Sequence, residues 1–90
     1  MRIWFKLFKD NHLLQDTVIC EYDFQMTRTE RIFHAIGEAS LAFDLSQPIW
    51  LDANIREFQK HCKTRFTQDN FIEPIDFDYM ELQVLEEDFL

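Results

Sequence analysis

An α+β fold, with one antiparallel sheet and two helices packed on one face, follows from three features of this chain. Its opening residues alternate as a strand does, two internal stretches carry apolar residues at helical spacing, and residues 77–85 return to strand alternation. The order β-β-α-α-β gives a three-stranded sheet. The first and last strands are expected side by side, because a lone hairpin is marginal in water.

Arg2 to Lys9 places Ile3, Phe5 and Leu7 on one face and Trp4, Lys6 and Phe8 on the other. Asp10-Asn11-His12 supplies turn chemistry, since Asp and Asn bond their own backbone and Asn tolerates positive φ. The second strand is predicted from about Leu14 to Tyr22, with Val18, Cys20 and Tyr22 alternating against Thr17, Ile19 and Glu21. Thr27-Arg28-Thr29-Glu30 matches a capping box and opens a helix to about Asp44. Ile32, Ile36, Ala39 and Phe43 form its apolar stripe, widened by Phe33 and Ser40, with Arg31, His34 and Glu38 on the other side. Gly37 costs about 1 kcal/mol relative to Ala unless close packing explains it, so a near approach to the sheet is expected there. Pro48 holds Gln47 out of the α region, and Asp52 is placed to cap a shorter helix reaching about Lys63. Ile55, Phe58 and Cys62 form its buried line. Thr64 to Asp76 reads as an irregular connection. In the last strand, Met80, Leu82 and Val84 oppose Tyr79, Glu81 and Gln83.

Ninety residues suffice for one core, so residues 1–90 are expected to form a single domain. Ten phenylalanines with one Gly and two Pro make disorder and flexible linkers poor descriptions. The net charge of −8 argues against unspecific binding to nucleic acid or an anionic membrane. No apolar run approaches the ~20 residues that span a bilayer. Cys20 and Cys62 form no CxxC pair and read as reduced core filler on separate elements, in keeping with a cytoplasmic setting.

Arg2-Ile3-Trp4-Phe5-Lys6, Pro48-Ile49-Trp50-Leu51-Asp52 and the stretch from Lys63 to Phe71 resemble a small bacterial family without a known activity. The resemblance covers nearly the whole chain. It implies a bacterial, intracellular protein and assigns no ligand or site.

His61-Cys62 fails as a phosphatase loop: the sixth position after the cysteine is Gln68, Arg65 is only three away, and no glycine lets the backbone wrap a phosphate. Glu30, His34 and Glu38 share one helical face at metal-ligand spacing, but three ligands from one straight helix seldom converge, and a solvated face is expected. No catalytic residue, metal site or cofactor is therefore expected. Arg56, Lys60 and Lys63 fall at i, i+4 and i+7 on the short helix, followed by Arg65, as an exposed stripe able to contact phosphate. Every charge from Phe66 onward is acidic, which keeps a Phe-rich chain soluble and could dock on a basic partner.

If Ile3, Phe5 and Leu7 face the helices, Trp4 and Phe8 lie on the far side of the sheet, joined there by Ile19 and Tyr79. Clustered exposed aromatics mark an interface. The competing expectation is coverage of that face by Ile49-Trp50-Leu51 or Phe71-Ile72. Together these features point to a non-enzymatic interaction protein, as a homodimer or with a protein partner. A nucleic-acid-associated factor using Arg56, Lys60, Lys63 and Arg65 is the alternative. A metal-dependent or cysteine enzyme comes third.

Overall fold

The computed structural model describes residues 1–87; Asp88 of the acidic run Glu86-Glu87-Asp88 lies outside them. Strands β1 (Arg2–Lys9) and β2 (His12–Cys20) form the expected hairpin. Its turn residues Asp10 and Asn11 both adopt positive φ, 51° and 64°, the left-handed pair that a tight right-twisted hairpin requires. Between Leu7 and Phe8 the register shifts: Gln15 faces Leu7 and Leu13 faces Phe8, so Leu14 is the extra residue of a bulge.

Helix α1 (Arg28–Ala42) begins with the reciprocal capping box, Thr27 Oγ1 accepting from the Glu30 N–H and Glu30 accepting from the Thr27 N–H. Ile32, Ile36, Ala39 and Phe43 are buried as the spacing requires, but Phe33 is 48% exposed and does not widen the stripe. A Cβ at Gly37 would meet the Gln47 amide nitrogen at 3.2 Å, so the close neighbour is a loop side chain and not the sheet.

Helix α2 (Asp52–His61) is capped differently from the expectation. Leu51 is the N-cap, and Asn54 Oδ1 accepts its N–H at 3.0 Å. Asn54 is buried because its amide bonds in both directions: Oδ1 also accepts from Asn70, while Nδ2 donates to Thr64 Oγ1 and the Arg65 carbonyl. Asn70 in turn donates to the Ile49 carbonyl. This amide pair pins the start of α2 to the segment that follows it.

The sheet has four strands, not three. Cys62 adopts φ 54° and ends α2, and the chain returns as β3 (Lys63–Phe66) along β4 (Tyr79–Glu86). Thr64 and Phe66 are buried while Lys63 and Arg65 point outward. Four residues are too short a run for alternation to stand out in a sequence, and the stretch reads as a loop for that reason. All pairings are antiparallel, in the order β2-β1-β4-β3, so β1 and β4 are neighbours as expected.

Ile3, Phe5 and Leu7 meet Met80, Leu82 and Phe66 beneath α1, forming one apolar cluster with Phe58, Phe71 and Phe77. Neither cysteine belongs to it. Both thiols are free and exposed, Cys20 at the end of edge strand β2 and Cys62 at the left-handed cap. No helix among the described residues is long and apolar enough to cross a membrane.

Candidate functional site

The residues proposed for an interface divide between the two faces of the sheet. Ile19 pairs with Ile3 and packs against the core, so it lies on the helix side; Val18, opposite Trp4, takes the outward position. The hairpin register decides this, because a slip of one residue exchanges the faces of a strand. Trp4, Phe8 and Tyr79 do share the outer face, each half-buried. Neither segment expected to cover them does so: Trp50 packs against Phe33, Phe58 and Phe66, and Phe71 against Phe77, all on the helix side.

Charged neighbours within the sheet cover these aromatics instead. Lys6 Nζ stands 3.8 Å from the Trp4 ring centroid, pairs with Glu81 at 3.0 Å and donates to Gln83 at 3.0 Å. Trp4 Nε1 donates to Asp16 at 2.9 Å. Phe8 stacks on Tyr79 at 5.2 Å, and the Arg65 guanidinium lies 4.4 Å from the Tyr79 centroid while approaching Glu81 at 3.5 Å. Lys6 and Glu81 are almost fully buried in this array. Charges so desolvated persist because each has an opposite charge and further polar or π contacts.

Arg56, Lys60, Lys63 and Arg65 do not make one stripe. Arg56 and Lys60 are exposed on α2, on the helix side, whereas Lys63 and Arg65 point out from β3 on the other side of the sheet. The helix ends two residues earlier than expected, and that turns Lys63 away.

The surface that sequence reasoning missed is a cleft of about 330 Å³ between the N-terminal half of α1 and the side of α2 that carries Ile55, Phe58 and Gln59. Ile32 and Phe33 form one wall, Ile55 and Phe58 the other, and Trp50 lies between them, with Thr29 and Gln59 also lining it. The Trp50 ring meets Phe33, Phe58 and Phe66 edge-on at 5.3–5.8 Å, which holds the cleft open on an aromatic base. Phe33 and Ile55 remain 48% and 45% exposed, although helical spacing puts Ile55 on the buried line of its helix. The buried indole N–H of Trp50 has no acceptor among the described residues. The available signal was Phe33 beside the α1 stripe with Ile55 and Trp50 ahead of Phe58, but only the spacing of the two helices turns these into a cleft.

Arg28 stands at this cleft. Its Nε and Nη2 donate to one oxygen of Glu87 at 3.0 and 2.7 Å, and its guanidinium lies 5.2 Å from the Phe58 ring centroid. Glu87 holds the Arg28 guanidinium above its usual pKa range, against the opposing effect of burial and with a smaller contribution from the Cys62 thiol.

A second cavity of about 340 Å³ lies among the loops, where Asp44, Glu73 and Asp76 join Leu7, Phe43 and Phe77. Of the helical trio, Glu30 is spent in the α1 cap, and His34 Nδ1 pairs with Glu21 at 2.6 Å. That contact, more than the nearby Glu38, raises the His34 pKa above 6.5. Among the described residues no group of three or more His, Cys, Asp or Glu side chains could hold a metal ion. No known protein family, curated protein or solved structure matches the chain.

Proposed function

We propose that this chain is a non-enzymatic protein-interaction module whose contact surface is the cleft between α1 and α2. One observation carries the proposal: Phe33 and Ile55 stay half exposed on either side of an aromatic base that none of the described residues fills. A gap lined by large apolar side chains favours an apolar insert from a partner, because closing it removes both surfaces from water. Self-association through Trp4, Phe8 and Tyr79 is the weaker arrangement, since their charged coverings would have to be stripped first. A nucleic-acid role draws only on the divided basic residues.

Affinity capture from cells of the source organism, using wild type and charge-blocked variants, tests the proposal. Phe33→Glu and Ile55→Glu should each lose the captured protein, while Ile72→Glu, at a residue 86% exposed elsewhere, should keep it. Retention by both cleft variants, or equal loss with Ile72→Glu, would remove the cleft as the contact surface.

A further inference from the structure

Arg28 is in the wrong place for its helix. It occupies the first position of α1, where the unpaired N–H groups and the macrodipole favour an acid and disfavour a cation. Its surroundings give it a different use. Among the described residues lining the cleft, Arg28 alone is charged, and its fork of donors lies against the ring of Phe58. A guanidinium stacked on an aromatic ring is pre-oriented, so little freedom is lost when it binds a carboxylate.

The chain already places a carboxylate there. Both donated hydrogen bonds go to Glu87, yet the side chains of Arg28 and Glu87 are 45% and 28% exposed, so water screens the pair and a competitor can displace it. Against a net charge of −8, this is a point of attraction for an acid set beside an apolar gap.

Resting on the cleft as contact surface, we infer that its partner is a peptide segment presenting an Asp or Glu next to one or two large apolar side chains. Arg28 binds the carboxylate, the apolar groups enter between Phe33 and Ile55, and Glu87 holds the carboxylate's place in the free chain.

The test is an NMR titration of the ¹⁵N-labelled full chain with two peptides, acetyl-Ala-Ala-Glu-Phe-Leu-Ala-amide and its Gln twin. The Glu peptide should shift the amides of Arg28, Phe33 and Ile55 and bind about tenfold tighter than the twin, as a charge-assisted hydrogen bond implies. Arg28→Met, which keeps the apolar stem, should abolish that preference while still binding. Glu87→Gln should tighten the Glu peptide several-fold by removing the internal competitor. Equal binding of the two peptides, or a preference that survives Arg28→Met, overturns the carboxylate assignment and leaves the cleft as a purely apolar contact. Absence of binding by either peptide at millimolar concentration overturns it too. The cleft itself fails only if the capture experiment also gives the wrong pattern.

Discussion

The outer sheet face and the α1–α2 cleft both display large aromatic rings, and they differ in what those rings touch. On the sheet, Trp4 lies under Lys6 and bonds Asp16, while Tyr79 lies between Phe8 and Arg65. In the cleft, Phe33 touches Trp50 and is half exposed, and the Trp50 N–H has no acceptor among the described residues. Aromatic residues at a surface are therefore an incomplete sign of an interface. The sheet face is half-buried and partnered within the chain; the cleft is half-exposed, and none of the described residues fills it.

The largest expected effect tests the sheet side of that contrast. Glu81 forms ion pairs with both Lys6 and Arg65, so Glu81→Leu strands a nearly buried Lys6 and should cost about 3 kcal/mol in urea unfolding, at the low end for a broken buried pair because Gln83 and Trp4 still hold the ammonium. Adding Lys6→Met should recover much of the loss. If Glu81→Leu is neutral, the array is loosely held, and the outer face returns as a binding surface.

A smaller effect tests the cleft. Phe33→Ser removes a half-exposed ring and one edge-on contact, and should cost about 1 kcal/mol while ending partner capture. A loss as large as that from Glu81→Leu would make Phe33 part of the core and not a waiting contact.

The smallest effect lies apart from both regions and is read against pH. The His34 pKa is raised in the folded state by Glu21, so protonated His34 stabilises the fold fully below its unfolded value of about 6.5. That contribution fades as pH rises through the higher folded value. The melting temperature should fall slightly over this window, and His34→Gln should flatten the profile. An unchanged slope in the variant would show that the His34–Glu21 pair contributes nothing to stability.

Alternation, helical spacing and capping chemistry by themselves determined the hairpin, both helices, the final strand and most of the core, because each depends on residues near one another in the chain. The expected bounds of β1 are those observed, and Thr27 and Glu30 cap α1 as read. Only the tertiary structure decided the rest. The bulge at Leu14 and the pairing with β1 put Ile19 inside and Val18 outside, a matter of cross-strand register. β3 became a strand because β4 was there to pair with it. Lys6 and Glu81 are distant in sequence and meet only across β1 and β4, which is why the outer face read as two bare aromatics. The cleft is the clearest case: helical periodicity tells which face of each helix is apolar, but how far apart two helices settle depends on the side chains wedged between them. Here Trp50, seated on Phe66, lies between the two helices, and Phe33 and Ile55 are left half exposed among the described residues.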